Sequence, residues 1–188
     1  MLYYFDQLAN NNLEAKSMHA PKQLLILILF SMLLGCTPGD SVPSNTKNKD
    51  THLQHPHLFH LVQADLWQTA VDSGAAYFPP TYQQDGFTHA TANPELLMNV
   101  ANHFYLDVPG KWLCLQMTTD SLAAAGTEVV FEGTAPVGDK QPNFEGTDNE
   151  LFPHILGGIH PNAVLEVHEV IRSSNGTFLS VKNVTQGE

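Results

Sequence analysis

Three histidines, His60, His89 and His154, stand at the ends of three well-separated apolar segments, and Glu150 lies four residues before the third. An imidazole both donates and accepts a hydrogen bond at neutral pH and titrates near it, so a cluster of three suits ligand binding or proton transfer. Glu150 would add a carboxylate to that chemistry. Thr91, two residues after His89, either hydrogen-bonds a ligand or caps the helix that follows. The bland alternative makes the histidines satisfied polar residues at strand ends and Glu150 a loop charge.

The elements that must position them follow from hydrophobic spacing. Leu58-Phe59-His60-Leu61-Val62 is a short apolar strand with His60 on the same face as Leu58 and Val62. Ala64 to Asp72 puts Leu66, Trp67, Ala70 and Val71 on one helical stripe, with Gly74 suited to a left-handed cap. Asp85-Gly86 turns the chain into Phe87-Thr88-His89. Asn93-Pro94-Glu95 opens a helix: Asn93 accepts from free amides, Pro94 needs no amide partner, and Glu95 meets the positive end of the dipole. Leu96, Leu97, Val100, Ala101 and Phe104 form its buried stripe. Residues 111–117, 128–132 and 163–171 read as strands, and Asn175-Gly176 is a hairpin turn into 177–181. Gly133 to Glu150 is a loop of about 18 residues, long enough in a compact domain to signal function or disorder. The fold class is α+β, in one domain over 58–188.

The bulk composition excludes several functions. Acidic residues outnumber basic ones 19 to 8, the formal charge is −11, and Arg172 is the only arginine. Neither the charge nor the bidentate forks used on nucleic acid are present. Two cysteines make no disulfide framework, and Cys114, between Leu113 and Leu115, behaves as a small hydrophobe. His52, His55, His57 and His60 resemble a zinc-binding stretch, but no acidic or thiolate partner completes a site, so no metal is expected.

Ahead of the domain, Met18-His19-Ala20-Pro21-Lys22 precedes an apolar run from Leu24 to Phe30 and then Leu33-Leu34-Gly35-Cys36. This is a basic, then apolar, then small-residue signal peptide. Its end resembles the bacterial lipobox, in which cleavage leaves the cysteine as a lipid-bearing N-terminus. The apolar stretch of about 12 residues is short of the roughly 20 that span a bilayer. Residues 1–35 are therefore an upstream extension and signal peptide, and 36–57 a polar tether anchored to the membrane through Cys36. In the lipoproteins this segment resembles, an aspartate after the lipid cysteine favours inner-membrane retention, so Thr37 implies the outer membrane facing the periplasm where the host has one.

Four segments together resemble a bacterial family known as domain of unknown function 952: Leu58 to Val62 with the Trp67 helix, Gly86 to Thr91, Val100 to Tyr105, and Glu150-Leu151-Phe152-Pro153-His154-Ile155-Leu156-Gly157. The resemblance implies a fold similar to the ADP-ribosyltransferases, two small sheets split around a cleft. It implies His60 on a ribose hydroxyl and Glu150 polarising the sugar, with His89, His154, Thr91 and His103 beside an NAD-like or other small polar ligand. The chain departs from that family's pattern. It carries Thr88, Ala90 and Thr91 where members commonly carry isoleucine, cysteine and serine, His103 where they carry arginine, and Leu156 where they carry tyrosine. Loss of the arginine removes a fixed fork for phosphate oxygens. The sequence supports a ligand-binding cleft, with a non-catalytic envelope protein-interaction module as the alternative.

The anchor predicts that the mature chain starts at a lipid-modified Cys36 and partitions into detergent, and that Cys36→Ala yields an unprocessed or soluble form. An intact mass showing an unlipidated chain with another N-terminus overturns it.

Overall fold

A computed structural model describes residues 54–185. The segments expected to be a signal peptide and lipid-bearing Cys36, and most of the expected tether, lie outside them. Among the described residues no helix is long and apolar enough to cross a membrane.

The chain opens with β1 (Leu58–Gln63) and α1 (Ala64–Ser73), the helix ending where Gly74 takes a left-handed φ of 67°. A short α2 (Tyr82–Asp85) leads through Gly86, φ 81°, into β2 (Thr88–His89). The Asn93 side chain accepts from the Glu95 amide as its type predicts, but what it opens is a 3-10 turn, Pro94–Leu96, which continues as α3 (Leu97–Tyr105). Then come β3 (Trp112–Met117), α4 (Thr119–Ala124), β4 (Val129–Glu132), β5 (Phe152–Ile155), β6 (Glu166–Arg172) and β7 (Phe178–Val181). All ladders are antiparallel. One sheet has the order β1-β3-β6-β7 and the other β2-β5-β4. The α+β class with two small sheets is therefore the architecture found.

Alternation along the strands builds two cores on the two faces of the larger sheet. Leu58 and Val62 of β1, with Leu115 and Met117 of β3, pack with Trp67, Leu122, Phe131 and Ile155, so the smaller sheet, α1 and α4 cover this face. Phe59 and Leu61, with Trp112 and Cys114, pack with Leu97 and Ala101 of α3 and with Phe178 and Val181 of β7. His60 shares the first face, as the strand period predicts. Cys114 is fully buried and unpaired, and burial pushes its thiol up to about 12, which fits an inert hydrophobe.

Three local expectations change. Val71 is 43% exposed while Trp67 and Ala70 are buried, so the α1 stripe is narrower than its hydrophobic spacing suggests. The strand expected over 163–171 runs instead from Glu166 to Arg172, because Ala163 closes a 3-10 turn, Pro161–Ala163, that His160 caps. The helix α4 was not anticipated, although the sequence marks it: Thr118 and Ser121 make a reciprocal capping box.

Two side chains fasten the second core. Asn102 of α3 donates to the Phe178 carbonyl at 2.9 Å and accepts from the Phe178 amide at 2.8 Å, taking the place of a neighbouring strand beside β7. Arg172 donates to the carbonyls of Gly176, Val108, Gly110 and Leu106, and its guanidinium lies 4.2 Å from the Phe178 ring centre. The only arginine of the chain thus holds the loop after α3.

Asn102→Ala leaves both backbone groups of the buried Phe178 without their partner and should cost about 2–3 kcal/mol, since each buried unpaired group costs about 1–3. A urea midpoint unchanged from wild type would show that water replaces the amide.

Candidate functional site

The backbone from Thr88 to Thr91 pairs on two sides, and this fixes the site. Thr88 and His89 pair with Ile155 and His154 of β5, and the Ala90 amide donates to the Pro153 carbonyl at 2.9 Å. Thr91 then exchanges two hydrogen bonds of 2.8 Å with Phe59 of β1. The segment joins an edge of one sheet to an edge of the other. It brings His60, His89, Thr91 and His154 to the wall of a single cavity of about 40 Å³, with Tyr105, Phe104 and Phe152 among its other lining residues.

Each histidine has one ring nitrogen committed to the protein. His60 Nδ1 donates to the His89 carbonyl at 2.6 Å. His154 Nδ1 donates to Glu132 Oε2 at 3.0 Å, and His89 Nε2 donates to Asp85 Oδ2 at 3.0 Å. These bonds assign the tautomers, leaving a lone pair on the opposite nitrogen of each neutral ring. His60 and His154 are each 3% exposed, and their Nε2 atoms are buried with no partner among the described residues. The third such nitrogen, Trp112 Nε1, belongs to a residue that does not line this cavity.

Burial decides the charge. It lowers the His60 pKa to about 4 against the opposing bond from the His89 carbonyl. It also lowers His89 and His154, although Asp85 and Glu132 pull the other way. All three rings are neutral at pH 7. Tyr105, which also lines the cavity, is held in its protonated form by burial and by the nearby Asp85 charge. Phe87 stacks on His154 with ring centres 3.9 Å apart and lies 4.6 Å from His89, which orients both rings.

The remaining expected residues lie elsewhere. Glu150 is not on the cavity wall. It lines an open hollow of about 650 Å³ with Glu145 and Asp148, and this hollow shares Thr134 and Phe144 with the cavity. His103 is also off the wall: its Nε2 donates to the Gln141 carbonyl at 2.6 Å, and its ring stacks on Phe144 at 4.8 Å. It fastens the long loop to α3. That loop contributes Thr134, Ala135, Val137 and Phe144 to the cavity, and Asp85 holds it by accepting from the Gly138 amide at 3.0 Å. Thr91 does not cap a helix, since Asn93 does so.

Glu132, Asp85, Phe87 and Tyr105 were missed as site residues. Only Asp85, four residues before His89, carried a local signal for its pairing. Among the described residues no three His, Cys, Asp or Glu side chains come together to hold a metal ion.

A His60 pKa near 4 in the folded state against 6.5 unfolded means that the unfolded chain binds the proton first. Stability is then fully present above about pH 6.5 and is lost as pH falls toward 4, by on the order of 3 kcal/mol for this group. Urea midpoints should fall across that window, and His60→Gln should flatten the slope. A slope unchanged in His60→Gln would show that His60 is already protonated in the fold.

No curated protein matches the chain. Among solved structures, the crystal structure of protein CC0527 from Caulobacter crescentus is similar at 15% identity, covering 65% of this chain and 92% of that one with a TM-score of 0.49. A double mutant of the same Caulobacter protein gives the same 15% identity and the same coverage with a TM-score of 0.46. A family model matches residues 61–167, more than half of the chain. The chain that builds this histidine-lined cavity therefore belongs to the family described as Protein of unknown function (DUF952).

Proposed function

We propose that the domain binds a small hydroxylated molecule of ribosyl type in the cavity, and that a lipid on Cys36 holds it at the cell envelope. One observation carries the binding reading: His60 and His154 line one cavity, and the Nε2 atom of each is buried with no hydrogen-bond partner among the described residues. A buried polar atom left unpaired costs about 1–3 kcal/mol, and such exceptions concentrate where a ligand supplies the missing bond. Hydroxyls are suitable donors to neutral imidazoles.

The size of the cavity limits what enters. A volume of about 40 Å³ holds roughly three water-sized groups, since one needs about 10–15 Å³. The hydroxyl-bearing edge of a sugar enters, and the rest of the ligand extends through the shared wall of Thr134 and Phe144 toward the hollow that carries Glu150. The hollow is lined by Glu145, Asp148 and Glu150 and neither lining includes a lysine or arginine, which favours an unphosphorylated riboside over a whole NAD-like dinucleotide. A cleft between two small sheets that takes a ribosyl group, as in ADP-ribosyltransferase-like folds, is the reading of the architecture that accompanies this proposal.

Thermal shift against free sugars, ribosides, nucleotides and NAD tests it, because a ligand that binds only the native state raises the melting temperature by mass action. A riboside should do so. His60→Gln and His154→Gln should each weaken its binding about 5- to 150-fold, the equivalent of losing one hydrogen bond to a buried acceptor. If no member of the panel shifts the wild type, the reading fails.

A further inference from the structure

Glu132 gives His154 an arrangement that binding alone does not require. The carboxylate accepts the Nδ1 proton at 3.0 Å and is itself 63% exposed, while the ring it holds is 3% exposed. A carboxylate on one imidazole nitrogen fixes the tautomer and stabilises the imidazolium that forms when the other nitrogen takes up a proton. His60 lacks this feature, because its Nδ1 meets a neutral carbonyl. Phe87 stacks against the His154 ring and fixes its plane.

We infer that His154, oriented by Glu132, is the proton acceptor of this site, while His60 serves only as a hydrogen-bond acceptor. This rests on the reading that the cavity binds a hydroxylated ligand. The O–H bond of the ligand hydroxyl, or of a water standing there, breaks and its proton moves to His154 Nε2. The electron pair stays on oxygen as an alkoxide or hydroxide nucleophile, and the imidazolium keeps its Nδ1–H on Glu132. No metal, redox partner or further reactant enters this step. Glu132 is a positioning residue, since it acts through His154. The other titratable groups around the His154 ring are His89 on β2, with ring centres 5.7 Å apart, and beyond it Asp85, with His60 and Tyr105 on the same cavity wall.

Nitrogen-15 NMR of the imidazoles in the full-length protein reads the arrangement without a ligand. In the wild type, His154 should be the Nδ1–H tautomer and titrate at a higher pH than His60. In Glu132→Gln, which keeps an acceptor but loses the charge, the tautomer should persist and the His154 pKa fall by about one unit or more. In Glu132→Leu, which loses both, the proton should redistribute to Nε2. A wild-type His154 that carries its proton on Nε2, or a His154 titration indifferent to Glu132, overturns the inference. A Glu132-dependent His154 in a protein that no riboside stabilises would instead remove the ligand reading and leave the base in place.

Discussion

The site depends on the double pairing of the Thr88–Thr91 backbone. Its first half completes the smaller sheet against β5, and its last residue pairs with Phe59 at the open edge of β1. An edge strand leaves a row of amide and carbonyl groups in need of partners, and here one four-residue segment serves two such edges. The consequence is geometric. His60 lies beside one edge and His154 beside the other, so tying the edges together puts both imidazoles, and His89 between them, around one cavity. Gly86, at φ 81°, ends α2 one residue before Phe87 and lets the segment start, a conformation in which a side chain is strained. Gly158 permits the nearby close approach of Tyr77 and Phe78, since a Cβ there would meet both at 2.8 Å.

Within that frame, the polar chemistry follows from burial. Desolvation disfavours the imidazolium, and the three rings stay neutral even where Asp85 and Glu132 oppose it. Neutral rings with one committed N–H are acceptors on the other side. The fold thus maintains two unpaired lone pairs in an apolar wall of Phe59, Phe104 and Phe152, an arrangement that costs stability and lends itself to pairing with a donor from outside. The long loop belongs to the same unit. Asp85 bonds both His89 and the Gly138 amide, so the ring and the loop wall share one carboxylate.

Charge is distributed to match. Arg172 spends its guanidinium on four loop carbonyls and the face of Phe178, and Lys140 pairs with Asp107 at 3.6 Å. Neither the cavity nor the hollow beside it is lined by a lysine or arginine, and the hollow carries Glu145, Asp148 and Glu150. An anionic ligand would meet repulsion there, whereas a hydroxyl donor would not.

By itself the sequence determined the features whose physics is local. Alternation placed His60 with Leu58 and Val62, Asn93 marked a helix start through its own side chain, Asn175-Gly176 turned β6 into β7, and Leu113-Cys114-Leu115 hid the thiol. The family resemblance lay in the first of these strands with the Trp67 helix, and in Gly86 to Thr91, Val100 to Tyr105 and Glu150 to Gly157. Which carboxylate meets His154 was decided only by tertiary structure. Glu150 is four residues away along the chain, but β5 begins at Phe152 and leaves it on the loop outside. The antiparallel register instead sets Val130 opposite His154 and Glu132 opposite Phe152, so Glu132 is the diagonal neighbour two residues along the same face, within reach of Nδ1. Val71 became exposed, and His103 was drawn to the loop, for the same reason. A spacing rule fixes which residues share a side, whereas what covers that side depends on strand pairings set by contacts distant in sequence.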